Sequence, residues 1–331
     1  MKAVVAKRYG GPEVLEIVDA PAPEVHSRDV LIDVRAASLN PLDFKVREGK
    51  VKLVLPLKPP VSLGCDVAGV VSAVGPNVKE LAVGDEVYVR LEKQRMGGLA
   101  EQACADASVV AKKPASLSFE QAASIPLAAL TALQALREVA KLTPGQRVLI
   151  HAGAGGVGSL AIQIAKILGL HVTTTTSTKN VEFVRGLGAD EVIDYTKESL
   201  DDKPREFDAV FDSLGAESEI ASIRATKRGG IVVGIGGLPD GEFAKEWLPT
   251  VVRPALWLMT AKRRRVAAKA GVRFVYLFMR PDGGELAEIA RWIDEGKLTP
   301  IIHATFPFSK VRDAFAELER GRARGKIVVT I

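Results

Sequence analysis

The chain has 331 residues, 47% of them hydrophobic, which is enough material for two domains with hydrophobic cores. Its net charge of +5 suits an anionic cofactor but does not require one. Its two cysteines, Cys65 and Cys104, exclude a disulfide framework and a four-cysteine zinc site, so we expect a reducing compartment.

The sequence gives no sign of membrane insertion or export. No run of about 18 or more apolar residues is present, so we expect no transmembrane segment. The N-terminal residues lead directly into a strand-like run, and we therefore expect no signal peptide. These observations indicate a cytoplasmic protein, with association with an organelle left open.

The chain up to about residue 122 predicts a β-rich domain. It is rich in valine, glycine and proline, and turn signals separate its apolar runs. The predicted strands include residues 2–7, 29–36, 66–74 and 86–89. Short strands at this spacing are typical of a partly open barrel, interrupted here by a short helix that begins near Pro41.

From about residue 123 the pattern changes to alternating helices and strands. The predicted elements are helix 120–139, strand 148–150, helix 160–168, strand 171–175, helix 180–187, strand 191–193, strand 209–212, helix 218–226 and strand 230–234. Such alternation indicates an α/β architecture with a doubly wound parallel sheet. Residues 208–215 contain the fourth strand of that sheet.

Three glycines, Gly153, Gly155 and Gly158, lie between the first apolar strand and an amphipathic helix. This spacing is typical of a dinucleotide-binding loop, in which glycines allow the tight turn, the close approach of a pyrophosphate and the packing of helix on strand. The helix N-terminus also offers free N–H groups and a partial positive charge. We therefore predict that Gly155, Gly156 and Val157 bind a cofactor. The alternative is a glycine-rich turn in another kind of α/β protein.

The segment after the second strand bears on the choice between NADP(H) and NAD(H). The carboxylate that usually binds a ribose hydroxyl is missing there, and the segment offers Ser177, Thr178 and Lys179 instead. Hydroxyls and a lysine can bind a 2′-phosphate that a carboxylate would repel, so the sequence favours NADP(H). Ser177 and Thr178 could instead only cap the next helix, and both roles are compatible because they use the same helix end.

Ligands of doubly wound sheets bind beyond the carboxyl ends of the strands. Leu214 follows the fourth strand and Ile235 follows the fifth, so both are predicted to contact the cofactor, Ile235 near the nicotinamide. His151 stands just before the glycine loop, and we interpret it as a packing residue rather than a catalytic one.

The last third of the chain is predicted less sharply. Residues 241–271 are interpreted as helix and loop, and 273–278 as an aromatic strand. The remaining predicted elements are helix 284–295, extended segment 298–304, helix 309–320 and strand 326–331. The basic run 262–265 could bind nucleic acid or an anionic membrane surface. We interpret it as the solvated face of a surface helix, so no nucleic-acid partner is expected.

Motifs along nearly the whole chain match one family. They are residues 10–15 (GGPEVL), 38–45 (SLNPLDFK), 64–69 (GCDVAG), 83–87 (VGDEV), 98–101 (GLAE), 122–127 (AASIPL) with Thr131, 152–158 (AGAGGVG), 187–190 (LGAD) with 194–195 (DY), and 325–328 (GKIV). On these motifs the chain resembles the medium-chain dehydrogenase/reductase superfamily. Within it, the resemblance is closer to the zinc-independent quinone oxidoreductase (zeta-crystallin-like) and enone or alkenal reductase branch.

The resemblance implies a GroES-like, β-rich catalytic domain built from both chain ends, residues 1–122 and 280–331. This domain is expected to flank a dinucleotide-binding (Rossmann) domain, residues 123–279. The aromatic side chains of Trp257, Phe274, Tyr276 and Phe278 could line an apolar substrate pocket or a subunit interface. The resemblance favours an interface for the strand 273–278, which would extend the sheet across a homodimer.

The resemblance adds cofactor contacts by Lys45, Thr131, Tyr195 and Arg324. The lysine that this branch commonly places on the 2′-phosphate aligns with Asn180, and the neighbouring Lys179 is the candidate to replace it.

The chain departs from the zinc-dependent relatives at three positions. They carry a cysteine where Asn40 stands and His-Glu where Cys65-Asp66 stands. Catalytic zinc needs three protein ligands and an open fourth position, which this set supplies poorly. We expect no metal, and Cys65 is interpreted as a small buried residue rather than a reactive thiol.

The resemblance implies hydride transfer from a reduced nicotinamide to the β-carbon of an unsaturated aldehyde or ketone. The charge that develops on the carbonyl oxygen needs a donor or cation, and Asn40 and Lys45 are the candidates. A turn-stabilising asparagine and a surface lysine are the alternatives. A quinone reductase, or a non-catalytic nucleotide-binding protein with a membrane or RNA partner, are the alternative functions.

Overall fold

The structure is a computed structural model that describes residues 1–216 and 218–331. It divides into two compact units, residues 1–130 with 280–331 and residues 131–279. The strands are β1 (Lys2–Ala6), β2 (Leu15–Asp19), β3 (Asp29–Leu39), β4 (Val61–Ser62), β5 (Asp66–Val74), β6 (Glu86–Arg90), β7 (Gln102–Asp106), β8 (Val110–Lys112), β9 (Arg147–Ile150), β10 (His171–Thr176), β11 (Glu191–Asp194), β12 (Phe207–Asp212), β13 (Thr226–Gly234), β14 (Arg273–Tyr276), β15 (Ile302–Pro307) and β16 (Lys326–Thr330). The α-helices are α1 (Pro41–Arg47), α2 (Phe119–Ala123), α3 (Pro126–Leu133), α4 (Gly156–Ile167), α5 (Val181–Gly186), α6 (Glu219–Ala225), α7 (Gly241–Trp247), α8 (Arg253–Met259), α9 (Ala261–Ala270), α10 (Gly283–Asp294) and α11 (Val311–Glu319).

A seven-stranded sheet forms the centre of the first unit. Its order is β15-β16-β3-β5-β6-β8, and β7 pairs with β3 outside that path. Alternate residues of β3, Val30, Ile32 and Val34, are buried because successive side chains of a strand point to opposite faces. They pack in one cluster with residues of β5 and β6, including Val67 and Val89. The β-rich prediction for this part of the chain is confirmed.

The last strand of the chain belongs to the sheet of the first unit. β16 pairs antiparallel with β3, where Ile327 lies opposite Leu39, and parallel with β15. This register brings the beginning of β16, Lys326, to the end of β3, where α1 begins. Asn40 and Lys326 therefore become neighbours, although 286 positions separate them in the sequence.

A six-stranded parallel sheet forms the centre of the second unit. Its order is β11-β10-β9-β12-β13-β14. Counted from β9, this is the strand order 3-2-1-4-5-6 of doubly wound dinucleotide-binding sheets. Leu149, Val210 and Val232 from its three central strands form the core together with Ile223 of α6. The α/β fold prediction is confirmed, and β12 is the fourth strand as predicted.

The predicted single helix over residues 120–139 is wrong. The chain forms α2, turns at Ser124 and Ile125, and starts α3 at Pro126. Proline lacks the N–H that a continuous helix would use and disfavours helical geometry in the residue before it. After α3 the last part of the predicted helix is π-helical, Gln134–Val139.

Residues 241–271 are mostly helical and form α7, α8 and α9. The basic run lies on α9, and its interpretation as a wholly solvated face is wrong at one residue. Arg263 is buried, pairs with Glu219 at 3.1 Å and lies over the ring of Phe274. Its neighbours Lys262 and Arg265 are exposed, as predicted.

The other elements exist as predicted, with shifted ends. The largest shifts, of four residues each, are in α4, which begins at Gly156 rather than residue 160, in β13, which begins at Thr226 rather than residue 230, and in β15, which begins at Ile302 rather than residue 298. Polar residues at the start of β13 hide the strand because they break the apolar run. Within residues 1–216 and 218–331, none of the helices combines the length and the apolar composition that crossing a membrane would need.

Candidate functional site

The glycine loop connects β9 to α4, and Gly155 is the last residue before the helix. A Cβ atom at Gly153 would lie 2.1 Å from Thr174 Oγ1, and one at Gly158 would lie 2.2 Å from the carbonyl oxygen of Ala152. Both positions therefore need glycine for the loop to pack. A Cβ at Gly155 would meet only that carbonyl oxygen, at 3.3 Å.

Space is thus open at Gly155, next to the first turn of α4. Gly155, Gly156 and Val157 are partly exposed. The N–H groups of a first helical turn have no acceptor within the helix and carry partial positive charge. The loop therefore fits a pyrophosphate, whose oxygens would satisfy these donors.

The hydroxyl of Thr178 connects the segments that follow β10 and β11. Thr178 Oγ1 donates to Asp194 Oδ2 at 2.6 Å and lies 2.9 Å from Thr196 Oγ1. The hydrogen bond from Thr178 contributes most to lowering the pKa of Asp194 to about 2. The hydroxyl of Thr178 is thereby engaged, whereas Ser177 is half-buried and Lys179 is exposed. Ser177 and Lys179 are the groups of this segment best placed to bind an anion.

The predicted contacts of the second unit lie at one edge of its sheet. The glycine loop, Ser177, Tyr195, Leu214 and Ile235 follow the carboxyl ends of β9, β10, β11, β12 and β13 in turn. Since these strands are parallel, their carboxyl ends form a single edge, where ligands of such sheets bind. The side chains of Tyr195 and Leu214 are 64% and 55% exposed.

Asp212, at the end of β12, shapes the loop that carries Leu214. Its Oδ1 accepts hydrogen bonds from the N–H groups of Leu214, at 3.0 Å, and Gly215, at 3.1 Å. Its Oδ2 accepts one from the hydroxyl of Ser222, which also lies 3.0 Å from His151 Nε2. Burial lowers the pKa of His151, so the imidazole stays neutral inside this network. The arrangement agrees with a packing role for His151.

In the first unit, α1 begins directly after β3. Asp43 Oδ2 accepts a hydrogen bond from the N–H of Asn40 at 2.7 Å, and its Oδ1 accepts one from the N–H of Gly64 at 3.1 Å. Burial raises the pKa of Asp43 to about 6. Asp43 therefore connects α1 to the segment before β5.

A buried polar cluster surrounds Asn40. Its Nδ2 donates to Asp66 Oδ2 at 2.9 Å and contacts Cys65 Sγ at 3.6 Å, and its Oδ1 accepts a hydrogen bond from Lys326 Nζ. Lys326 also pairs with Asp66 Oδ2 at 3.3 Å, while Asp66 Oδ1 accepts the N–H of Leu127 at 2.9 Å. Asn40 is 2% exposed, and both of its amide hydrogens are directed at protein atoms. In this arrangement the side chain of Asn40 connects the start of α1 to Asp66 and Lys326.

The residues that stand where zinc-dependent relatives have ligands do not fit a zinc ion. The carboxylate of Asp66 is paired with the ammonium of Lys326, which takes the place of a cation. Burial raises the pKa of the Cys65 thiol well above its ordinary value, whereas zinc binds thiolate. Within the described residues, no group of three or more His, Cys, Asp or Glu side chains could hold a metal ion.

Lys45 lies on α1 and is half-buried. Burial, together with the charge of Lys50, lowers its pKa. Two further predicted cofactor contacts differ in exposure: Thr131 is buried at 4%, and Arg324 is exposed with its N–H 3.4 Å from His303 Nδ1.

Sequence reasoning missed three carboxylates that organise these loops. Asp66 was singled out only for its alignment with a zinc-relative residue, and Lys326 only as part of a family motif. Asp194 was seen as a motif residue, not as the acceptor for Thr178. Asp212 ends a predicted strand in front of a glycine, and this signal could have identified it as the acceptor for the loop N–H groups.

Comparisons with known proteins agree with this architecture. The model of the alcohol dehydrogenase GroES-like domain matches residues 26–115, and the model of the zinc-binding dehydrogenase family matches residues 187–329. An NADPH-dependent alkenal/one oxidoreductase from Arabidopsis thaliana, described as chloroplastic, is 39% identical over 340 residues, with 99% of this chain and 79% of the relative covered. A 2-methylene-furan-3-one reductase from Solanum lycopersicum is 40% identical with the same coverage.

Among solved structures, a quinone oxidoreductase from Coxiella burnetii is similar over the whole chain. Its TM-score is 0.86 at 37% sequence identity, with 100% of this chain and 99% of that chain covered. The similarity spans both units. The chain belongs to the medium-chain dehydrogenase/reductase superfamily, in its branch of quinone and alkenal oxidoreductases.

Proposed function

We propose that this protein is an NADPH-dependent, zinc-independent oxidoreductase that reduces the carbon–carbon double bond of α,β-unsaturated aldehydes and ketones. The observation that carries the proposal is the environment of the Lys45 ammonium. It is a half-buried cation with no hydrogen bond or ion pair to its ammonium among the described residues, on a helix whose sequence matches this branch. Burying an uncompensated ammonium is costly, so a ligand that supplies negative charge is the natural partner.

The second unit supplies the groups that would hold NADP(H). The loop from Gly155 to Val157 would bind the pyrophosphate through N–H groups of α4, and Ser177 and Lys179 would bind the 2′-phosphate. Tyr195, Leu214 and Ile235 lie at the same edge of the sheet and would pack along the cofactor. The printed description of the Arabidopsis relative as NADPH-dependent supports the choice of cofactor.

When bound, the reduced nicotinamide supplies a hydride to the electron-poor β-carbon of the substrate. The protein then has to stabilise the charge on the carbonyl oxygen. We assign this role to the ammonium of Lys45, in contact with that oxygen. The alternative role of Lys45 is to bind the ribose or phosphate of the cofactor. Asn40 holds the start of α1 through Asp66 and Lys326 and so positions Lys45. None of the candidate site residues is an evident general acid, and water can supply the proton that completes the reduction.

The test is a comparison of substrates in which the consumption of NADPH is followed by its near-ultraviolet absorbance. A short 2-alkenal, a vinyl ketone and a benzoquinone are compared, with NADH in parallel. We expect faster oxidation of NADPH than of NADH, and a saturated aldehyde or ketone as product. With NADPH deuterated at C4, the label is expected on the β-carbon. An allylic alcohol as product would contradict the proposal.

Quinone reduction is the second candidate, and the similarity to the Coxiella burnetii quinone oxidoreductase favours it. Turnover of benzoquinone without turnover of either carbonyl compound would place it first. Tight NADPH binding without turnover of any of the three substrates would point to the non-catalytic alternative.

We further propose a homodimer formed through β14. This strand pairs with β13 on one side and ends the sheet order on the other. An aromatic edge strand without a partner is an aggregation hazard, which a second copy would remove. Sedimentation equilibrium of the purified protein decides between monomer and dimer.

The two free cysteines suit a reducing compartment such as the cytoplasm.

A further inference from the structure

The second unit carries an exposed apolar segment that the proposed function does not use. Of the exposed large hydrophobic side chains among the described residues, four lie in residues 251–259: Val251, Trp257, Leu258 and Met259. Their exposed fractions run from 64% to 86%, and Leu256 is the buried residue that anchors α8. We refer to these four exposed residues as the α8 patch.

The α8 patch lies in a basic segment of the chain. The sequence has no aspartate or glutamate between residues 247 and 279. The same range contains seven basic residues, namely Arg253, Lys262, Arg263, Arg264, Arg265, Lys269 and Arg273. The ion pair with Glu219 neutralises Arg263, which points inward.

Three of the remaining cations form one surface of the next helix. Lys262, Arg265 and Lys269 are exposed and are spaced by three and four residues, which puts them on one face of α9. We refer to these three residues as the α9 basic face.

Arg264 links the two features. Its guanidinium lies 4.3 Å from the ring centroid of Trp257, and its Nη1 donates to the carbonyl oxygen of Trp257 and to Thr260 Oγ1. Thr260 Oγ1 also donates to the carbonyl oxygen of Leu256. These contacts hold the end of α8 against the start of α9, so the patch and the basic face are presented by two connected helices.

We propose that the α8 patch and the α9 basic face dock the protein onto the surface of an anionic lipid bilayer. Tryptophan, leucine and methionine side chains partition into the boundary between headgroups and acyl chains, and tryptophan is enriched there. Lysine and arginine beside them bind the lipid phosphates, and each strengthens binding about fivefold near an anionic surface. Exposed apolar side chains and three exposed cations, in a segment of the chain without acidic residues, are what such a surface requires.

Charge argues against a second copy of the chain as the occupant. A two-fold interface centred on the α8 patch places the same segment of both subunits together, and that segment, residues 247–279, has no acidic residue of its own to compensate the cations of the α9 basic face. Nucleic acid is also disfavoured. Val251, Leu258 and Met259 would gain nothing from phosphates, and one face of the Trp257 ring is already covered by Arg264.

The experiment is co-sedimentation of the purified full chain with vesicles. Vesicles of phosphatidylcholine alone are compared with vesicles that also contain phosphatidylglycerol, at low and at high salt. We expect binding to the anionic vesicles, at least about tenfold weaker binding to the neutral ones, and loss of binding at high salt. Equal binding to both kinds of vesicle, or none to either, overturns the proposal.

Two triple variants test the two parts of the surface. Trp257→Ser, Leu258→Ser and Met259→Ser together are expected to weaken binding by at least about tenfold. Lys262→Gln, Arg265→Gln and Lys269→Gln together are expected to weaken it about 100-fold, which is about fivefold per charge. Both variants should keep wild-type NADPH binding, because the changed side chains are exposed and lie outside the cofactor edge of the sheet.

Matched controls in the first unit separate a local surface from general stickiness or net charge. Val83→Ser removes an exposed apolar side chain with the same exposed fraction as Trp257, 64%. Lys52→Gln, Lys79→Gln and Arg322→Gln together remove three charges from exposed residues. Both controls should bind vesicles like the wild type, and weakening as large as in the α8 or α9 variants refutes a specific surface.

Two other outcomes reassign the surface. If the α8 variant changes the sedimentation coefficient from dimer to monomer and leaves vesicle binding intact, the patch is an interface between copies. If the wild type binds single-stranded RNA in a manner that depends on the α9 basic face but does not bind vesicles, the partner is nucleic acid. None of these measurements needs turnover, so their result is independent of the proposed function.

Discussion

Gly155 is the residue at which packing and ligand binding can be separated. Adding a Cβ at Gly155 would destabilise the fold little, because the added atom would meet only the Ala152 carbonyl oxygen, at 3.3 Å. We predict that Gly155→Ala weakens NADPH binding about 10- to 100-fold, as expected when a charge-assisted hydrogen bond is lost. The free energy of unfolding should fall by only about 0.5–1 kcal/mol, the cost of alanine before a helix. Fluorescence titration and urea unfolding measure the two quantities.

Gly186→Ala is the matched control, since a Cβ there would meet no atom within 4 Å and the residue ends α5. NADPH binding by this variant should equal that of the wild type. If Gly155→Ala binds NADPH as tightly as Gly186→Ala does, the pyrophosphate is not at this loop.

The lowered pKa of Lys45 leads us to predict how activity depends on pH. Burial lowers its pKa, so the ammonium loses its proton at a lower pH than an ordinary lysine. If the ammonium stabilises the oxyanion, kcat/KM falls as pH rises through that lowered pKa and is fully retained below it. Lys45→Met should reduce kcat/KM about 100-fold, as the loss of an oxyanion donor does, and abolish the alkaline decline.

Lys45→Arg is the diagnostic variant, because a guanidinium stays charged throughout the accessible range. It should retain more activity than Lys45→Met and show no alkaline decline. An alkaline decline that persists unchanged in Lys45→Arg would assign the titration to another group and remove Lys45 from this role.

At the scale of elements, Asp66 is the residue that joins separate parts of the first unit. Its two carboxylate oxygens bind Asn40 before α1, Lys326 of β16 and the N–H of Leu127 in α3. Asp66 and Lys326 are both buried. Breaking a buried pair by removing one partner leaves an uncompensated charge.

We therefore predict that Lys326→Met lowers the free energy of unfolding by about 3–5 kcal/mol. It should also reduce kcat, because Asn40 and hence α1 lose their support. Urea unfolding followed by circular dichroism gives the stability, and steady-state kinetics gives the activity. Lys2→Met, which removes the exposed ion pair between Lys2 and Asp19, is the control and should be close to wild type. Equal stability of the two variants would show that the buried pair contributes no more than a surface pair.

At the scale of the whole molecule, the predictions that succeeded rest on local patterns. The glycine loop, β12 and the alternation of strands and helices are visible because burial imposes a period on neighbouring residues. The single helix over residues 120–139 failed because a local proline outweighs a helical pattern that continues on both sides. The polar start of β13 has no apolar period and was therefore missed.

The candidate site was less predictable because its polar partners are distant in sequence. Lys326 and Asp66 are 260 residues apart, and Thr178 follows β10 whereas Asp194 ends β11. Arg263 lies within a run of four basic residues, and only tertiary packing on Glu219 and Phe274 distinguishes it from the others. No pattern of neighbouring residues encodes such pairings, and the family motifs indicated only that Asp66, Asp194 and Lys326 matter.

The placement of β16 beside β3 has a consequence for how the chain is made. A ribosome releases residues 131–279 as one continuous stretch, so the second unit can fold while synthesis continues. The first unit cannot be completed at that stage: until residues 326–330 emerge, β3 has β5 and β7 beside it but lacks β16, and Asp66 lacks its cation. The part of the nascent polypeptide that is made first is thus the last to complete its sheet.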